Sequence, residues 1–283
     1  RGYPVEVRWR AADDRDDVSS TERIAAALDE ITAEDPRGDV LVFLPGEREI
    51  RDAHLVLARR RYRATEVPAL YARLSAAEQD RVFKPGAGRR IVLATNVAES
   101  SVTLPAIRSV IDTGLAREPC FDPNSGFSRL QTIAISQASA DQRAGRAGRV
   151  AEGVAYRLWP QSQRLEPSRR AEIAQVELSA LALELAGWGT NDVRWLDAPP
   201  AGALASARAL LVLLGALDAD GRITQLGRDM LAAGAAPRLA AMVLRAPVAQ
   251  RALACDAVAL LEARNPLRGE SGRNDDFRAR LAA

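Results

Sequence analysis

Cysteine is nearly absent: Cys120 and Cys255 are the two thiols in 283 residues, far apart along the chain. That spacing excludes a disulfide framework and a cysteine-ligated metal centre. The lone histidine, His54, has no partner at ligand spacing, so it reads as a structural or surface residue and not a metal ligand. No apolar run approaches the roughly 20 residues of a membrane span. The first residues, Arg1-Gly2-Tyr3-Pro4, carry neither an initiator methionine nor a signal-peptide pattern. These absences leave a cytoplasmic protein, with no membrane partner, and a chain that reads as an excised fragment. Lysine is almost missing too, since every basic residue but Lys84 is arginine. Lys84 is followed by Pro85, so it cannot open a phosphate-binding helix, and no Gly-x-x-x-x-Gly-Lys-Ser/Thr loop occurs. There is no Asp-Glu-x-His to hold magnesium either. Phosphoryl transfer needs a metal and a phosphate cradle, and these residues encode neither.

What is present is balanced. The formal net charge is +2, too weak for bulk attraction to nucleic acid, so any basic surface has to be local. A hydrophobic fraction of 47% with 27% charged residues fits a folded protein of one large or two to three small domains.

The densest signal is Gln142-Arg143-Ala144-Gly145-Arg146-Ala147-Gly148-Arg149. Three arginines recur every third residue, and two glycines recur at the same spacing. On a helix, residues three apart share a face, so the octad predicts a row of guanidiniums with glycines falling away from it. Interior glycine costs a helix roughly 1 kcal/mol relative to alanine, which points to close approach by something else. Guanidiniums clamp phosphate oxygens, and a nucleotide phosphate is the expected ligand. Arginine richness across the chain is the competing explanation. Ser139 with Gln142 also fits a helix-starting capping box.

Around the octad, apolar runs alternate with amphipathic ones. Val40–Leu44, Ile91–Ala94 and Val110–Ile111 read as buried parallel strands, with Thr65–Val67 and Val154–Trp159 as further strands. Ile24, Leu28 and Ile31 share a helical face that Ser19 and Glu22 could start, Glu47–Arg60 follows the Pro45-Gly46 break, and Ser75 with Glu78 caps another helix. This alternation predicts a parallel α/β sheet whose ligands bind beyond the carboxyl ends of the strands. Asp122-Pro123-Asn124-Ser125-Gly126 is a turn between two extended runs, predicting a hairpin. From about residue 167 the pattern becomes helical. Leu178, Leu181, Ala182 and Leu185 form one stripe, and Leu204, Leu210, Leu211 and Leu214 another. A short wing over Leu217–Ile223 and helices over Arg238–Arg245 and Arg251–Glu262 follow. Helix, helix, wing and helix is the order of a winged-helix domain.

Two more segments follow strands. Thr95–Thr103 gathers hydroxyls, an amide and a carboxylate suited to sugar–phosphate contacts, or, equally, to capping a helical turn through Asn96 and Glu99. Asp112-Thr113-Gly114 ends another strand, where Asp112 could touch a ribose or hold a turn.

Taken together these segments resemble the second half of the core of a DEAH-box helicase, most like the bacterial HrpB type. Val40–Ile50 is similar to helicase motif four, and Leu70–Ser75 to an "LYGxLS" segment, with Ala72 where glycine is usual. Thr95–Thr103 resembles motif five, with Ser100 where threonine is usual, and Gln142–Arg149 matches motif six in full. The likeness continues through Trp188-Gly189 and Trp195–Pro200 and covers nearly the whole chain. It implies a RecA-like parallel-sheet domain over residues 1–166 with a hairpin at about 115–135. A mainly helical winged-helix domain over 167–235 and the start of a helical ratchet-like bundle over 236–283 would follow. It also implies roles. Arg146 and Arg149 become arginine fingers on the γ-phosphate of ATP, and Gln142 contacts that phosphate or the attacking water. Asp112 touches the nucleotide, and Ser101 sits near it as a sensor. Thr95 and Asn96 touch the nucleic-acid backbone, where Pro45 and Gly46 shape a turn. The implied partners are single-stranded nucleic acid, with RNA favoured by the family, and a first RecA-like lobe of the same protein that holds most of the ATP and its Mg2+. The competing function is a non-catalytic nucleic-acid-binding or regulatory module.

Overall fold

A computed structural model describes residues 2–11, 19–35, 38–60, 62, 65–84, 88–100, 104, 106–122, 127–190, 193–263, 267 and 277–282, without the side chains of 100, 127 and 128. The chain divides into two compact units, 1–120 with 129–170 and 121–128 with 171–283.

The first unit is built on the predicted apolar runs. They form β2 (Asp39–Phe43), β5 (Arg89–Ala94), β6 (Ile107–Asp112) and β9 (Gly153–Arg157), joined by β1 (Val5–Trp9), β3 (Thr65–Glu66) and β4 (Ala69–Leu70). Among the described residues these seven strands make one sheet, ordered β1-β9-β6-β2-β5-β3, with β4 also on β5. Every pairing is parallel. Alternate residues of a strand point to opposite faces, and the core splits accordingly. Val40, Val42, Ile91, Leu93 and Ile111 pack against Ile24, Leu28 and Ile31 of α1 (Ser20–Glu34) and Ile50 and Leu57 of α2 (Glu47–Arg60). On the other face Leu41, Phe43, Val92 and Val110 meet Val82 of α3 (Ala76–Phe83), Ala98 of α4 (Val97–Ser100), and Ala144 and Ala147 of the octad.

β1 is the strand that no apolar run announced. It pairs with β9 at the sheet edge, Val5 with Gly153 through Trp9 with Arg157. Its alternation of Val, Glu, Val, Arg and Trp is the signature of a half-exposed strand. Arg8 and Arg10 tie the edge to α1, Arg8 Nη1 to Glu34 Oε2 at 2.7 Å and Arg10 Nη2 to Glu30 Oε1 at 2.5 Å.

The capping signals fare unequally. Ser75 and Glu78 form the full reciprocal box. Ser19 accepts from the Glu22 N–H at 3.3 Å, but the Glu22 carboxylate goes to Arg60 instead, at 2.8 Å. The box read at Ser139 and Gln142 is incorrect. The helix there, α5 (Gln137–Ala144), starts earlier, with Ser136 as its cap accepting from the Ser139 N–H at 3.2 Å.

The predicted hairpin is β7 (Leu115–Asp122) paired with β8 (Phe127–Ala134); its turn, Pro123–Gly126, lies outside the described residues. In the second unit the leucine stripes become α6 (Ser179–Trp188) and α7 (Ala201–Leu213). The wing is an antiparallel bridge between Leu217 and Ile223, closed by the Asp218 carboxylate accepting from the Arg222 N–H at 2.8 Å. α8 (Gln225–Ala233), α9 (Pro237–Arg245), α10 (Arg251–Glu262) and α11 (Phe277–Leu281) follow. Leu183, Leu211, Leu217, Met230, Ala240 and Ala241 share one core, so α9 packs with α6 to α8. Among the described residues no helix is long and apolar enough to cross a membrane.

Gly148 shows what the octad's glycines do. A Cβ there would stand 2.5 Å from the Tyr3 carbonyl oxygen and 2.7 Å from the Val5 side chain. The Tyr3 N–H also donates to the Gly148 carbonyl at 2.7 Å. The close approach expected of these glycines is therefore made, at Gly148, by the chain's own first strand. Gly148→Ala is expected to cost about 1–3 kcal/mol, as overpacking against backbone does. Urea unfolding of the chain measures it, and an unchanged midpoint would contradict the assignment.

Candidate nucleotide and nucleic-acid site

The candidate residues outside the octad follow the carboxyl ends of the parallel strands. β2 runs into Pro45-Gly46, β5 into Thr95-Asn96 and β6 into Asp112-Thr113-Gly114, while α5 carries the first three residues of the octad beside β6 and residues 147 and 148 reach the amino ends of β9 and β1.

The octad is not one helix. α5 ends at Ala144 with Gly145 as its cap, and residues 145–148 continue as overlapping turns in which the N–H groups of 146, 147 and 148 reach the carbonyls three residues back. The predicted row of guanidiniums is corrected by burial. Arg143 is 1% exposed and Arg146 5%, whereas Gln142, Gly145 and Arg149 are exposed. Ala144 and Ala147 alternate with the arginines and fix the segment to the sheet.

Arg143 is the centre of a buried charge cluster. Its Nη1 donates to Asp112 Oδ1 at 2.9 Å and to the Leu115 carbonyl at 3.2 Å, its Nε donates to Glu99 Oε2 at 3.1 Å, and its Cζ lies 4.8 Å from the Phe43 ring centroid. A buried guanidinium needs this company, because an unpaired charge in the interior is prohibitively costly. Asp112 also accepts from the Gly114 N–H at 2.9 Å. Gly114 turns the chain with φ +74°, and a Cβ there would lie 2.7 Å from the Trp159 ring, so glycine is needed twice over. Burial pushes the Asp112 pKa up, against the opposing pull of Arg143 and the Gly114 N–H. Asp112 is 2% exposed, and its Oδ1 orients the octad's first arginine.

The Glu99 side chain does not cap its own turn; it pairs across to α5. Oε1 accepts from the Ser139 hydroxyl at 2.7 Å, while Oε2 takes Arg143. Sequence reasoning missed this pairing. The usable signal was two carboxylates, Glu99 and Asp112, next to apolar strands with a third-position arginine to share.

Arg146 Nη2 donates to the Glu99 carbonyl oxygen. Burial lowers the Arg146 pKa, and the neighbouring charge of Arg149 lowers it further. Thr95 and Asn96 are half-buried at the end of β5, with the Thr95 N–H on the Leu70 carbonyl at 3.1 Å. Pro45 and Gly46 are buried. A Cβ on Gly46 would meet Glu49 Oε2 at 2.9 Å and Arg117 Cδ at 3.1 Å. They shape a turn beneath those side chains. Ser101 lies outside the described residues. His54 is exposed, as expected, and both cysteines are free. Among the described residues no group of three His, Cys, Asp or Glu could hold a metal ion.

Comparison with known proteins bears on the fold. The helicase conserved C-terminal domain matches residues 22–151, and the winged-helix form of the helicase-associated domain, HA2, matches 207–232. The chain is 42% identical over 259 residues to the ATP-dependent RNA helicase HrpA of Escherichia coli, covering 87% of this chain and 20% of that protein. It is 38% identical over 281 residues to the ATP-dependent RNA helicase HrpB of the same organism, covering 96% and 34%. The crystal structure of E. coli DExH-box NTPase HrpB superposes with a TM-score of 0.84 at 36% identity, over all of this chain and 36% of that one. The chain thus spans a fifth to about a third of the length of the relatives it matches. The first unit is a RecA-like helicase fold and the second a helical winged-helix region.

Proposed function

This chain belongs to the DEAH-box helicase family, and from that premise we propose that it supplies the arginine-bearing second lobe of an ATP-dependent RNA helicase. In this reading residues 1–166 are the second RecA-like lobe, 167–235 the winged helix and 236–283 the start of a ratchet-like bundle. The hairpin at 115–135 guides or separates strands. Arg146 and Arg149 face the γ-phosphate of ATP, Gln142 contacts the same phosphate or the attacking water, and Thr95 and Asn96 hold the backbone of single-stranded RNA. The phosphate cradle and the Mg2+ belong to the first lobe of the full-length protein.

The observation that carries the proposal is the octad's placement. It keeps Gln142 and Arg149 exposed and rests Arg146 on the Glu99 carbonyl, in the turn that follows Thr95 and Asn96. A guanidinium in that position neutralises charge that builds on the transferred phosphoryl group, and arginine fingers are worth about 10³–10⁵ in rate. Because the arginines and the cradle lie on different lobes, hydrolysis requires the lobes to close, and closure is what moves the protein along its strand. Arg146 has to exchange the Glu99 carbonyl for phosphate oxygens when that happens.

Binding of the full-length protein to single-stranded RNA and DNA across a salt series, with and without a non-hydrolysable ATP analogue, tests the proposal. The expected result is an RNA affinity that falls linearly on logarithmic axes with salt, as phosphate contacts require, and that shifts when the analogue binds. Affinity indifferent to the analogue would favour a non-catalytic binding module.

A further inference from the structure

Thr95 and Asn96 on one side and the octad on the other are joined through a single residue. α4 is one turn long, and it is built directly on the proposed strand contacts: the Ala98 N–H donates to the Thr95 carbonyl at 3.1 Å and the Glu99 N–H to the Asn96 carbonyl at 2.9 Å. Glu99 then makes three connections to the octad's helix and turns. Its carboxylate takes the Ser139 hydroxyl at 2.7 Å and Arg143 Nε at 3.1 Å, and its backbone carbonyl takes the guanidinium of Arg146. Arg143 is itself fixed by Asp112, the Leu115 carbonyl and the Phe43 ring. The carboxylate therefore couples a short turn to a rigid support, while the carbonyl of the same residue holds a side chain proposed to face ATP.

We propose that Glu99 is a positioning residue through which RNA bound at Thr95 and Asn96 sets the orientation of Arg146. The inference rests on the reading of those residues as strand and phosphate contacts. A strand that shifts the 95–99 turn displaces the carbonyl on which Arg146 rests, and the bonds to Ser139 and Arg143 make the octad follow that shift. Coupling of this kind needs a physical element that both sites bias, and the one-turn α4 is that element. Were Glu99 only a counter-charge for Arg143, its loss would lower stability and leave communication between the two segments intact.

The test is hydrogen exchange of the 283-residue chain with and without a single-stranded oligouridylate, for the wild type, Glu99→Gln and Ser139→Ala. Glu99→Gln keeps the shape and an acceptor while removing the charge that binds Arg143. In the wild type, RNA is expected to change exchange at residues 95–100 and also at 143–149. In Glu99→Gln the first response persists and the second falls, most at 143–145 where the carboxylate acts, with Ser139→Ala intermediate. In the full-length protein, stimulation of ATP turnover by RNA falls about five-fold or more, the range of ordinary coupling energies. A Glu99→Gln chain whose octad responds to RNA as the wild type does would overturn the positioning role. A wild-type chain in which RNA leaves 95–100 unchanged would overturn the strand contact, and the inference with it.

Discussion

Arg149→Ala in the full-length protein lowers RNA-stimulated ATP turnover by about 10³-fold, and Arg146→Ala by at least as much. The magnitude follows from the finger role, since a guanidinium that meets charge only as the phosphoryl group transfers acts on the transition state. Accordingly kcat and kcat/KM fall together, because the lost interaction is absent from the ground state. The two variants differ in what else they disturb. Arg149 is exposed, so its truncation disturbs thermal unfolding less. Arg146 is 5% exposed and donates to the Glu99 carbonyl, so its truncation also lowers stability. Arg149→Ala is therefore the cleaner variant. Turnover close to wild type in both would remove the arginine-finger assignment.

Arg143→Ala carries the largest expected effect on stability. Removing the guanidinium leaves Asp112 and Glu99 without their shared cation and takes away the cation over Phe43. Breaking a buried ion pair from one side costs about 3–5 kcal/mol, most of it the uncompensated charge left behind. A domain whose whole stability is about 5–15 kcal/mol is then close to unfolding, and melting falls by about 10 °C, at the 2–4 °C per kcal/mol usual for this size. Arg143→Lys keeps the charge but cannot reach Asp112 and Glu99 with two arms of one planar fork, so it falls between. Differential scanning calorimetry decides this. A melting temperature for Arg143→Ala equal to the wild type's would show that the cluster is not a structural support.

The strands with continuous apolar runs were legible because burial on both faces leaves no room for polar residues. β1 was not, because a sheet edge tolerates alternation with charge, and five residues of it look like many loops. The helix starts were legible where a capping residue faces solvent, as at Ser75. At α5 the serine that fits the pattern, Ser139, was drawn to Glu99, and Ser136 three residues earlier became the cap. The octad was recognised by its spacing, yet spacing cannot tell an arginine that faces a ligand from one that faces a buried carboxylate. Arg143 and Arg149 are chemically identical and six residues apart. Only the carboxylates brought by β6 and α4 separate them, and those come from residues 31 and 44 positions away.

The central claim is that this chain holds the arginines of an ATP site whose phosphate cradle lies elsewhere. Steady-state ATP turnover by the purified 283-residue chain, in saturating single-stranded RNA, tests it most directly. The account predicts no turnover above the buffer rate, although the RNA is bound and the full-length protein under the same conditions turns ATP over. RNA-stimulated hydrolysis by the chain alone, abolished by Arg149→Ala, would contradict it, because the cradle would then have to be built from these residues.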